Sequence, residues 1–131
     1  MTRPAIASVA TPAAPAPNGH YSQAIVFGEL VFLSAQLPLD PDGAIPADVS
    51  AQALQALANC GAILDAAGSG LDQVLSVTLY LADVAHWASV DRAFAAVLGD
   101  HRPARAMVPV PALHLGAQVA AQMIAARRSP S

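Results

Sequence analysis

A chain of 131 residues falls in the size range of a single domain with an ordinary core. Its six cations are all arginine and its net charge is -3, so nucleic acid has no electrostatic footprint here, and Schiff-base or phosphate-loop chemistry has no lysine to use. Apolar residues make up 55% of the chain, many of them alanine, and charged residues 11%, a balance that leaves polar surface scarce and favours a compact, oligomeric protein.

Residues 1–17 are rich in proline and alanine and read as a flexible arm, and residues 18–128 as a single domain. After the Asn18-Gly19 turn, residues 21–27 and 30–35 alternate as two strands. The Gly28-Glu29 pair between them suits a tight hairpin. Residues 36–46 hold too many Pro, Asp and Gly for regular structure. Asp48 can cap a helix whose Leu54, Leu57, Gly61 and Leu64 form one stripe, with Gly68 as its stop. Residues 74–81 alternate Val77, Leu79 and Leu81 with Ser76, Thr78 and Tyr80, the signature of a strand with one face in the core.

Asp83 can cap a second helix that places Val84, Trp87, Val90, Phe94 and Val97 on one side until Gly99-Asp100 stops it. Residues 105–110 follow as a short strand and 117–126 as the last one. The order β-β-α-β-α-β-β describes one α+β domain with two helices packed on one face of a sheet. Residues 107–126 carry no formal charge, but Pro109, Pro111, His114, Gln118 and Gln122 interrupt them, so a membrane span is not expected. The lone Cys60 cannot form an intrachain disulfide, and a cytoplasmic setting is the default.

Chemistry centres first on Arg105. Strand alternation sets it beside Met107 and Pro109, and a guanidinium among apolar neighbours suits a planar carboxylate gripped in bidentate fashion; an ion pair with one of the aspartates is the equal alternative. Tyr21 and Ser34 offer hydroxyls to a ligand or to a reacting water, or else satisfy nearby backbone. His20, His86, His101 and His114 show no ligand spacing, so no metal is expected. No nucleophile-elbow motif is present, and Cys60 lies mid-helix among alanines as a packing residue.

The segments G-H-Y-S-Q-A at 19–24, L-V-F-L-S-A-Q-L-P-L-D at 30–40, A-A-G-S-G-L-D-Q-V at 66–74 and R-P-A-R-A at 102–106 resemble the RidA (YjgF-type) reactive-intermediate deaminase family. The resemblance implies a chorismate-mutase-like α+β fold and a homotrimer with an inner barrel, its ligand sites lying between subunits. It also implies hydrolysis of small 2-imino or enamine acids, of the 2-aminoacrylate and 2-iminopropanoate type, to 2-keto acids and ammonia, without metal or organic cofactor.

Carried over by position, Arg105 holds the substrate carboxylate, Tyr21 and Ser34 line the pocket, and backbone near Met107 contacts the reacting nitrogen or water. The chain departs from the family pattern at Gln122, where the water-orienting acid usually stands, and at His20, Ala35, Asp91 and Met107. Gln122 can position a water but cannot take its proton. His20 or Asp91 could supply the missing acid. Two alternatives stay open: a non-catalytic trimeric carboxylate-binding protein, and a deaminase of a pathway-specific amino-substituted acid with a pocket altered at His20, Ala35 and Met107. Ribonuclease activity has little footing in a lysine-free acidic chain.

Overall fold

A computed structural model describes residues 2–129. Six strands form one mixed sheet in the order β1-β2-β3-β6-β4-β5, where β1 is Ile6–Val9, β2 Ala24–Phe27, β3 Leu30–Leu33, β4 Val74–Leu81, β5 Ala104–Pro109 and β6 Val119–Ala126. Two helices, α1 (Val49–Ala66) and α2 (Trp87–Leu98), lie together on one face. Every pairing is antiparallel except β4 with β5, whose crossover is α2, so β5 ends the sheet as an edge strand.

The hairpin between β2 and β3 turns on Gly28 and Glu29. Gly28 takes φ +61 and Glu29 does not, as a type II′ turn requires. Helix α1 starts where Asp48 accepts a hydrogen bond from the Ala51 amide, and it ends in a Schellman motif. There the Ser69 amide donates to Leu64 O, the Gly68 amide donates to Asp65 O, and Gly68 takes φ +78.

The core lies between helices and sheet. The α1 residues Ala53, Ala56, Leu57, Cys60, Ile63 and Leu64 meet Val77, Leu79 and Leu81 of β4 and Ala121, Met123 and Ala125 of β6. Small residues let the helix approach the sheet closely, so alanine contributes more by permitting contact than by its own buried area.

Three expectations need correction. Residues 1–17 are not a free arm throughout: Ile6–Val9 pairs with β2, Ile6 opposite Phe27 and Val9 opposite Ala24. The following turn is tied by the buried Gln23 side chain. Its Oε1 accepts from the Thr11 amide at 2.7 Å, and its Nε2 donates to Thr11 O at 3.1 Å and Pro15 O at 3.0 Å. This strand buries almost nothing, and backbone pairing to β2 holds it, which no hydrophobic pattern announces.

The second correction concerns the α2 stripe. Asp83 caps a separate 3-10 turn, Val84–His86, and the helix proper begins at Trp87. Val84 is 62% and Trp87 44% exposed, so the buried side is carried by Val90, Ala93, Phe94 and Leu98. On α1, Leu54 also faces solvent, and the apolar seam runs through Ala53 and Ala56.

The opposite sheet face carries no helix. Phe27, Phe32 and Ile124 are exposed there, joined by Ser76, Thr78, Tyr80 and Gln122. Among the described residues no helix is long and apolar enough to cross a membrane.

Candidate functional site

Arg105 sits on β5 opposite Val77 of β4, and Met107 opposite Leu79. Since Val77 and Leu79 are core residues, strand parity turns Arg105 and Met107 toward the helices. Arg105 Nη1 donates to Asp91 Oδ1 of α2 at 2.7 Å. Its guanidinium carbon lies 5.5 Å from the Trp87 ring centre and 5.1 Å from that of Phe94. Two aromatic rings and a carboxylate therefore fix the plane of the guanidinium. A groove of about 560 Å³ runs past it, bordered by Asp91, Phe94, His101, Arg102 and Pro103. His101 Nε2 donates to Val74 O at 2.7 Å and braces that border against β4.

A second concavity of about 470 Å³ opens at the far end of the sheet, where Tyr21, Ala35, Gln36, Tyr80, His114 and Ala120 converge. Its frame is a short bridge between Gln36 and Ala121, with Gln36 N donating to Ala121 O at 2.7 Å and the return bond at 3.1 Å. The Tyr21 hydroxyl donates to Asn18 Oδ1 at 2.9 Å, and Ser34 Oγ donates to Ser22 O at 2.7 Å. Both protons are thus engaged within the chain, and the Tyr21 oxygen also accepts from the Asn18 amide at 3.3 Å, which leaves it one lone pair beside those of Ser34 Oγ. Ala35 is exposed on the wall, and His20 is exposed in the turn before Tyr21.

Gln122 stands opposite Thr78, on the sheet face turned away from the helices. Its Oε1 accepts from the Tyr80 hydroxyl at 2.7 Å. Arg105 and Gln122 therefore belong to opposite faces of one sheet and cannot reach a common small ligand within a single chain. Asp91, expected as a substitute acid, has its carboxylate on Arg105 and lies on the helix side as well. Within the chain the structure joins Tyr21 with Ala35 and, separately, Arg105 with Asp91 and Met107, and it ties Gln122 to the first group only through Tyr80.

Sequence reading missed Tyr80, His114 and the ring pair Trp87 and Phe94 as neighbours of these sites. Tyr80 was legible as the polar member of the β4 alternation, at the strand end where ligands gather. The loop bearing His114 has no such signal, although its Leu115 takes φ 61, a left-handed conformation unusual for leucine. Among the described residues, no group of three or more His, Cys, Asp or Glu side chains could hold a metal ion.

Comparison with known proteins gives a consistent answer. The family model described as Endoribonuclease L-PSP matches residues 11–127. Protein HMF1 of Saccharomyces cerevisiae is 38% identical over 116 residues, covering 88% of this chain and 90% of that protein. The 2-iminobutanoate/2-iminopropanoate deaminase of Salmonella typhimurium is 38% identical over 125 residues, covering 92% and 98%. The crystal structure of the YjgF gene product of E. coli superposes with a TM-score of 0.89 at 36% identity, over 93% of this chain and 99% of that one. With a match that spans five of the six strands, both helices and the segments around Tyr21 and Arg105, the chain belongs to the YjgF/RidA family described as Endoribonuclease L-PSP.

Proposed function

We propose that the protein hydrolyses small reactive 2-imino acids and their enamine tautomers to 2-keto acids and ammonia, at sites completed between subunits of a homotrimer. The observation that carries this reading is Arg105, a half-buried guanidinium whose plane is fixed by two rings and one carboxylate beside an open groove. The relatives named 2-iminobutanoate/2-iminopropanoate deaminase support it at family level. The assembly is supported by the helix-free sheet face with its exposed Phe27, Phe32 and Ile124. It is supported too by the separation of Arg105 from Gln122, which a neighbouring copy would resolve.

In the reaction a water oxygen bonds to the C=N carbon, and the π pair moves onto nitrogen. The water gives up both of its protons in turn and nitrogen takes up two, directly or through solvent; the C–N bond then breaks, and ammonia leaves as the carbonyl forms. Arg105 holds the substrate carboxylate so that the carbon faces the water, a contribution of proximity and orientation. Gln122 orients the water by hydrogen bonding, and the proton passes to solvent or substrate nitrogen, since an amide cannot accept it. Faster ammonia release from enzymatically generated 2-aminoacrylate in the presence of the protein is the expected result; no acceleration at any protein concentration refutes the reading for that substrate.

A second reading is carboxylate binding without turnover. It is favoured by one observation, the engagement of Gln122 Oε1 by Tyr80, which takes up one of the two lone pairs of that amide oxygen. Binding of a 2-keto acid with no ammonia release would select it.

A further inference from the structure

The Arg105 clamp already contains a carboxylate, and this sets what it can discriminate. Asp91 Oδ1 accepts from Nη1 alone, and among the described residues Arg105 makes no other hydrogen bond. The Nε and Nη2 donors, which form the side edge of the guanidinium fork, are left for a second carboxylate. The pair is neither deeply buried nor free: the side chains are 21% and 40% exposed, with Trp87 and Phe94 packed against the cation.

We propose that Asp91 is a specificity-determining residue that aims Arg105 while cancelling its charge, so that the clamp recognises a ligand carboxylate by the geometry of its hydrogen bonds more than by attraction. The proposal rests on the reading of Arg105 as the carboxylate anchor. A ligand carboxylate on the Nε–Nη2 edge meets a guanidinium whose field is opposed by the Asp91 charge on its other end. Its binding energy then comes from two directed hydrogen bonds, and a neutral ligand of the same shape loses less than it would against an unopposed cation. The net effect is weak ground-state binding of the keto-acid product together with retained alignment of the imine. Arg102 borders the same groove but is exposed, where its charge is screened by solvent.

The test measures binding of 2-oxobutanoate and of its neutral amide, 2-oxobutanamide, to the full chain by titration calorimetry. Asp91→Asn keeps an oxygen acceptor for Nη1 and removes the charge. It should tighten 2-oxobutanoate about five- to tenfold, the scale of one charge removed a few ångströms away where solvent screens it, as it does for the partly exposed Asp91, and leave the amide unchanged. Asp91→Glu keeps the charge and should retain the wild-type preference between the two ligands. A merely structural role for Asp91 would move both ligands alike, so an acid-to-amide preference in Asp91→Asn equal to that of wild type overturns the proposal.

The double variant Asp91→Asn/Arg105→Gln separates this idea from its premise. Carboxylate binding that rises in the single variant and is lost in the double supports the proposal, whatever the ammonia-release assay gives. Carboxylate binding indifferent to Arg105→Gln removes the anchor itself and the proposal with it.

Discussion

Tyr80 and Gln122 share a 2.7 Å hydrogen bond across the β4–β6 ladder, phenol to amide oxygen, on the sheet face that no helix covers. They are diagonal neighbours, since Thr78 stands opposite Gln122 and Tyr80 opposite Ala120. Tyr80 also borders the concavity that holds Tyr21 and His114. The polar group on this face is therefore a pair of residues, Tyr80 of β4 and Gln122 of β6, and the phenol fixes which atom of the amide it faces.

Gln122→Glu places a proton acceptor where the amide stands, with the Tyr80 hydroxyl ready to donate to it. Positioned general bases contribute typically about 10²–10⁴-fold, so imine hydrolysis should rise by at least about tenfold in this variant. Tyr80→Phe should lower wild-type turnover by releasing Gln122 from its orientation, with little change in ligand affinity. Initial rates of ammonia release, compared with ligand titrations, check both; a Gln122→Glu enzyme no faster than wild type shows that water activation is not what limits this chain.

Arg105→Gln removes the fork but leaves the strand and both rings in place. Because the Asp91 pair is partly exposed, stability should change by less than about 1 kcal/mol. Hydrogen bonds to charged groups are worth about 1.5–3 kcal/mol, so 2-oxobutanoate affinity should fall roughly 10- to 100-fold. Equal loss for 2-oxobutanamide would point to a collapsed groove instead of a lost anchor.

The separation of Arg105 from Gln122 was half legible in the sequence. Alternation in residues 74–81 and 119–126 says which side chains share a face, but the face of Arg105 follows only once β5 is known to run parallel beside β4, with Arg105 opposite Val77. The Arg105–Asp91 pair depends on α2 lying over β5, a packing relation between elements that no spacing records. Caps and turns were legible because they act within a few residues: Asp48, Gly28 and Gly68 all do what their types favour. The start of α2 was not, because Asp83 is as good a cap for a 3-10 turn as for the helix that follows it. Strand β1 was hidden for another reason, since it is held by backbone bonds and by one glutamine and not by buried apolar side chains.

Gln23 makes that last point testable. Its buried amide ties down Thr11 and Pro15, and Gln23→Leu would remove these bonds and strand the Thr11 amide without its acceptor. The expected cost is about 2–4 kcal/mol in urea unfolding, from several bonds near 1 kcal/mol each and one unsatisfied donor. Hydrogen exchange should quicken first at Thr11 and along β1 while α1 stays protected. Uniform loss of protection would mean that Gln23 supports the core and not this segment alone.

Cys60 supplies a pH dependence whose sign is fixed by its burial. Desolvation on α1 raises its thiol from 9.0 to about 12, against a weaker opposing effect of the hydrogen bond from its own backbone. Below pH 9.0 the thiol is neutral folded or unfolded, and the chain keeps its full stability. Between 9.0 and about 12 the unfolded chain ionises the thiol and the folded one does not, so the folded state binds the extra proton. Stability then falls as pH rises, by up to about 1.4 kcal/mol per pH unit from this group. The informative quantity is the difference from Cys60→Ala, whose alkaline slope should be shallower by that amount. A disulfide reagent at pH 8 should leave Cys60 unmodified in the native protein and modify it in urea, because the thiolate is the attacking species. Rapid native modification, or parallel alkaline slopes for the two proteins, would place the thiol nearer solvent than the α1–β6 packing allows.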